Sequence, residues 1–256
     1  MRSNVRPQSE EPGPGAGAAR KVSAARLRGS FAATPIASES RRRPRGRREV
    51  AILLGLLSLA VVASGISPRD RLTWLMEVAP VFVGVPILIA TRRRFPLTPL
   101  AYRLIFVHTL LLTYGAHYTF SEVPLGLWLR DAFGLARNHY DRIVHLVGGI
   151  APAIVGREIL RRTMSLRRGT GLFLLVSLGC LGGSAFYELL EWWAAALTGA
   201  QASAFLATQG DVWDTQWDML LGLVGAVAGQ LVLTKQHERE LAALGASSGS
   251  ENSPVA

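Results

Sequence analysis

Imidazole and carboxylate side chains gather at the ends of apolar runs in this 256-residue chain. His117, Tyr118 and Glu122 close one run, and His139, Asp141, Arg142 and His145 open the next. Glu188 and Glu191 lie late in a third, while Asp211, Asp214 and Asp218 lead into a fourth. Ionisable groups in or beside a bilayer are costly, so they mark a site or a pairing network. On a helix, residues three or four apart share a face. Asp141 with His145, Glu188 with Glu191, and Asp214 with Asp218 therefore form pairs that three helices can aim at one centre. Carboxylate with imidazole suits Zn, Fe or Mn, whereas carboxylate and water alone suit Mg, Ca or Mn. In a metal reading, His145, Glu188, Asp214 and Asp218 hold a divalent ion that activates water or polarises an ester oxygen of a lipid-linked substrate. His117 or His139 is then the proton carrier. In a ligand reading, the same centre binds a polar or amphiphilic envelope molecule, with Tyr118, Glu122, Asp141, Arg142, Glu191 and Asp211 as contacts. In a structural reading, Arg142 pairs with Glu188, Glu191 or Asp218 and the charges only lock helices together. Spacing leaves all three open and names no cofactor.

The elements that must position these groups are membrane helices. The chain is 49% hydrophobic with a net charge of +10 and mean hydropathy +0.26. Its apolar residues fall in runs long enough to cross ~30 Å of hydrocarbon. The expected fold is all-α and polytopic, with about six transmembrane helices: Val50–Ile66, Leu72–Ala90, Leu100–Thr119, Tyr140–Leu160, Gly171–Leu197 and Thr215–Leu233. Residues 1–48, rich in Pro, Gly, Ser and Arg, read as a disordered basic tail. Residues 49–234 form the membrane domain and 235–256 a polar tail. Arginine flanks set the orientation. The run Arg41–Arg48, the cluster Arg92–Arg94, the group Arg157 to Arg168, and Lys235 with Arg239 share one side of a six-span chain. Both termini are then cytoplasmic, the protein is a multi-pass plasma-membrane protein, and every acidic and histidine position named above faces the outer side.

The same pattern excludes other classes. Arginine here flanks apolar runs rather than covering a polar surface with interleaved aromatics, so the expected partners are membrane lipids and not nucleic acid. Cys180 is the single cysteine, which rules out an internal disulfide. No Gly-x-Ser-x-Gly elbow or Gly-rich phosphate loop occurs. Trp128, Trp192, Trp193, Trp213 and Trp217 read as an interfacial belt. The pairs Gly179/Gly183 and Gly225/Gly229 read as close helix contacts within the chain. His108 reads as a core histidine, Glu158 as part of a surface ion pair, and His237 as solvated in the tail.

From Thr113 to Gly229 the chain resembles the YjdF-like bacterial inner-membrane family. The strings that carry the resemblance are Tyr114-Gly115-Ala116-His117-Tyr118-Thr119 and Arg137-Asn138-His139-Tyr140-Asp141-Arg142 with His145. They continue in Phe186-Tyr187-Glu188-Leu189-Leu190-Glu191-Trp192, in Gln209-Gly210-Asp211, and in Trp213-Asp214-Thr215-Gln216-Trp217-Asp218-Met219. The C-terminal half is also similar to a VanZ-like domain through Asp141 to His145, Glu188 with Glu191, Asp214 with Asp218, and Gly222, Gly225 and Gly229. It departs from that pattern at Arg142, where lysine is usual, and at Leu221, where asparagine is common. The resemblance implies a role in the cell envelope.

Overall fold

Local chemistry sets where the helices begin and end. The Asp70 carboxylate accepts the Thr73 N–H at 2.7 Å, and the Thr98 hydroxyl accepts that of Ala101 at 3.3 Å; both cap a first turn. Pro99 and Pro124 occupy first-turn positions where a missing N–H costs nothing. Gly134, at φ 62°, closes a short helix in the left-handed conformation. The computed structural model describes residues 42–198 and 208–249. Among them the helices are α1 (Arg42–Ser64), α2 (Arg71–Thr91), α3 (Pro99–Tyr118), α4 (Pro124–Phe133), α5 (Tyr140–Thr163), α6 (Thr170–Thr198) and α7 (Asp214–Gly249), with a 3₁₀ turn at Phe120–Glu122. No strand occurs among the described residues.

Four helices are long and apolar enough to cross a bilayer: α2, α5, α6 and α7. Every eighteen-residue stretch of α1 includes Arg47, Arg48 and Glu49, and α3 is diluted by Arg103 and His108. Exposed side chains nevertheless give α1 a lipid-like surface, with Ile52, Leu56, Leu59 and Val62 all outward. An apolar face of that size on a soluble monomer would mark an interaction site. Proline interrupts α2 at Pro80 and Pro86 and α5 at Pro152. Helix α4, unanticipated from the sequence, turns Leu125, Trp128 and Phe133 outward.

The closest packing is between α5 and α7, and glycine makes it possible. A Cβ on Gly149 would overlap the Gly222 carbonyl and the Ala226 nitrogen, and one on Gly225 would overlap the Leu146 carbonyl. The two backbones are therefore in direct contact, as small-residue stripes allow. This register has a consequence for chemistry. Asp141, His145 and Gly149 repeat every four residues on α5, as do Asp214, Asp218 and Gly222 on α7. The faces that hold the glycines together also bring the ionisable groups together. The pair Gly225/Gly229 thus packs within the chain as expected, Gly229 meeting Ile150, whereas Gly179 and Gly183 meet nothing within 4 Å.

The opposite end of the bundle corrects two expectations. His237 and Glu158 are both fully buried, not solvated, and stand 3.3 Å apart. They meet because α7 runs on as helix past Lys235, so the supposed tail packs against the end of α5. Glu158 also accepts the Thr98 N–H and hydroxyl and the Arg162 guanidinium at 2.7–3.1 Å. Glu238 accepts Arg157, Arg161 and Arg168 at 2.9–3.3 Å. Glu240 accepts the Leu100 N–H at 2.7 Å, and Arg103 reaches Glu49 on α1 at 2.6 Å. The starts of α1, α3 and α6, the end of α5 and the later part of α7 thus share one polar, arginine-rich end. Helix α1 begins within the stretch expected as basic tail; the rest of that stretch, residues 1–41, lies outside the described residues, as do 250–256.

Candidate functional site

At the other end, the first turns of α5 and α7 set Asp141, His145 and Asp218 around one point, with candidate ligand atoms all within 4.8 Å of one another. His145 Nε2 stands 3.5 Å from Asp141 Oδ1, one helical turn apart. Asp141, Glu188, Asp214 and Asp218 are 3–7% exposed, so this is an interior cluster and not a solvated acidic surface. Glu188 enters from α6 and accepts the Thr215 hydroxyl. Glu191, one turn further along α6, is within electrostatic reach of Glu188, Asp141, His145 and Asp218. Helix α2 adds Glu77, 1% exposed and facing Asp141 electrostatically.

The hydrogen-bond inventory of this chamber does not close. Both oxygens of Glu77, Oε1 of Glu188 and Oδ1 of Asp218 are buried without a partner among the described residues. Such acceptors are normally satisfied, because an unmet buried polar atom costs about 1–3 kcal/mol and more for a charge. Four carboxylates, from Asp141, Glu188, Glu191 and Asp218, face the His145 imidazole, and Glu77 faces Asp141. The chamber is thus built around negative charge or the protons that replace it.

Its rim is paired. Arg137 donates to Asp214 at 2.5 Å and to Asp211 at 3.3 Å. Arg142 donates to Asp211 at 2.5 Å and lies 5.1 Å from the centre of the Trp217 ring. The Trp213 N–H and these two guanidinium groups hold the Asp211 carboxyl below the usual carboxylate range. His139 Nδ1 is 3.3 Å from Arg142 Nη1. Burial first, then Arg142 and Arg137, lower its pKa. Asn138 and Gln209 clamp the rim: the Asn138 N–H donates to Gln209 Oε1 at 3.0 Å, and Gln209 Nε2 donates back to the Asn138 carbonyl at 2.9 Å. Gly126 lets Asn138 fit, since a Cβ there would overlap the Asn138 amide.

The structure thus brings together Asp141, His145, Glu188, Glu191 and Asp218, with Asp211, Asp214, Arg142 and His139 at the rim. It does not bring His117, Tyr118 or Glu122 to them by any contact. His117 Nδ1 donates to the Ser64 carbonyl at 2.9 Å and its ring stacks edge-on against Tyr118. Glu122 pairs with Arg69 at 2.8 Å in solvent. Arg142 reaches Asp211 rather than any of the three carboxylates considered for it. Beside Glu188 a cleft of about 450 Å³ opens between α6 and α7, walled by Leu189, Trp192, Val212 and Met219, with Thr215 and Gln216 at its polar side.

A family model described as "Predicted membrane protein (DUF2238)" matches residues 49–239. The chain belongs to that family. It is also 48% identical over 193 residues to the inner membrane protein YjdF of Escherichia coli (strain K12), which covers 75% of this chain and 92% of the relative. No solved structure matches. The protein is accordingly a multi-pass membrane protein of the inner membrane. The match reaches from α1 through most of α7, well beyond the stretch from Thr113 to Gly229.

Sequence reasoning missed Glu77, Tyr187 and the bracing role of Arg137. Glu77 had a readable signal, a lone carboxylate amid the second apolar run. Tyr187 precedes Glu188 and lies within electrostatic reach of Glu77, Asp141, Glu188 and Glu191. The Asn138–Gln209 clamp had none, because two neutral amides far apart in sequence show no periodicity.

Proposed function

We propose that this protein binds an amphiphile of the cell envelope, its hydrogen-bond-donating or cationic head in the acidic chamber and its apolar part in the α6–α7 cleft. In this reading α1 and α3 also cross the bilayer, giving six spans, and the arginine-rich end is cytoplasmic by the positive-inside rule. The acidic chamber then faces outward. The VanZ-like pattern of Asp141, Glu188, Asp214 and Asp218 is part of the same reading and favours an envelope role.

One observation carries the proposal: Glu188, whose buried Oε1 has no partner among the described residues, lines an apolar-walled cleft. Acceptors left unmet inside the protein select a donor-rich head, and apolar walls select a chain. Tryptophan in the cleft wall supplies the readout. Dodecylamine titrated into the purified protein is expected to quench Trp192 fluorescence saturably, and dodecyl sulfate is not. Glu188→Gln is expected to weaken the amine at least tenfold. Equal response to the two amphiphiles would remove the reading.

A further inference from the structure

We infer that Asp141, His145 and Asp218 form a binding site for one divalent first-row transition ion of the Zn²⁺ or Mn²⁺ class. The site shares the acidic chamber with the ligand reading but does not need the amphiphile, so each can fail without the other. The candidate ligand atoms lie within 4.8 Å of one another. An ion bound at about 2.0–2.2 Å to each needs them only somewhat closer, a change within reach of small χ rotations. Asp141 and His145 are one turn apart on α5, and Asp218 comes from α7 at the glycine-set crossing. Two separate helices held backbone to backbone give a site whose spacing is fixed before the ion arrives.

The second observation is independent of that proximity. Asp218 is 3% exposed and its Oδ1 has no hydrogen-bond partner among the described residues. A buried carboxylate oxygen beside a second carboxylate, with no donor of its own, is open to a proton or a metal cation, and the imidazole beside it adds a metal-ligating atom. His145 cannot serve both acids fully, since its Nε2 is already turned to Asp141. An imidazole among the ligands favours Zn²⁺, Mn²⁺ or Fe²⁺ over Ca²⁺ and Mg²⁺, which prefer oxygen shells. Asp214, which sequence spacing offers as a ligand, is taken by Arg137 at 2.5 Å, and Asp141 stands in its place. Glu188, with Oε1 unpartnered, is placed to orient a water or a head group beside the ion. Three protein ligands leave coordination positions open, the arrangement found in ions that act on substrates rather than staple folds.

The test uses tag-free, detergent-purified full-length protein stripped with a chelator and titrated with Zn²⁺ and Mn²⁺ by calorimetry. The expected result is close to one ion per chain, with affinity lowered at least tenfold in His145→Gln and Asp218→Asn and unchanged in Glu122→Gln. Wild type binding no more tightly than His145→Gln overturns the site. Should the variants not fold, pulsed electron paramagnetic resonance of the Mn²⁺-loaded wild type decides. Nitrogen coupling from an imidazole supports the site, and its absence overturns it. Dodecylamine binding measured on the stripped protein keeps the ligand reading separate, because that depends on Glu188 and not on His145.

Discussion

The two ends of the bundle treat buried charge in opposite ways. At the arginine-rich end, Glu158 and Glu238 are each surrounded by donors: Thr98, Arg162 and His237 for one, Arg157, Arg161 and Arg168 for the other. At the acidic end, Glu77, Glu188 and Asp218 keep oxygens that nothing among the described residues satisfies. A network that only holds helices together looks like the first. The difference argues that the second end is not merely a lock, since a lock would recruit cations as the arginine-rich end does.

The sharpest break of this comparison is Glu158→Ala. It leaves the fully buried His237 and the Thr98 N–H without their carboxylate, and losing one partner of a buried pair costs about 3–5 kcal/mol. Unfolding in mixed micelles should show a loss of that order. Next comes Arg137→Ala at the rim, which leaves Asp214 buried without its guanidinium. A loss of about 1–3 kcal/mol is expected, and the double change Arg137→Ala/Asp214→Ala should recover much of it. Asp218→Asn should act in the reverse direction. Removing a negative charge from a chamber that already holds too many should leave the melting temperature of ion-free protein unchanged or slightly raised. A large drop in melting temperature would show that the acidic end is a lock after all.

The smallest effect is the pH dependence at His139. Its folded pKa lies below the ordinary 6.5, so the folded state binds the proton less readily than the unfolded chain. Stability is therefore full above about pH 6.5 and falls as pH drops through and below that value. His139→Gln should flatten that slope in denaturation measured at stepped pH.

Much of the acidic end was legible because helical period and alternation of spans work together. Four-residue spacing put Asp141 beside His145 and Asp214 beside Asp218, and sequence order sent α5 and α7 into the bundle from the same end. The pairing of Asp214 with Arg137 was not legible, because it depends on where Arg137 reaches across a loop. The arginine-rich end was misjudged for a related reason. Glu158 and His237 look like flank residues when the apolar run is taken as the whole helix, but α7 outlasts its apolar part and covers them. The four qualifying spans fall short of the expected six because basic residues enter α1 and α3, a compositional effect that leaves their outward apolar faces in place.

The glycine contact between α5 and α7 also divides the chamber into fixed and adjustable walls. Where two main chains touch, neither helix can slide or rotate without a steric clash, so Asp141 and Asp218 behave as one jaw of a vice. Glu188 rides on α6, whose Gly179 and Gly183 have open space beside them. Any widening of the chamber to admit a guest therefore falls to α6, and stiffening that helix at Gly179 should slow entry while leaving the resting geometry of the jaw intact.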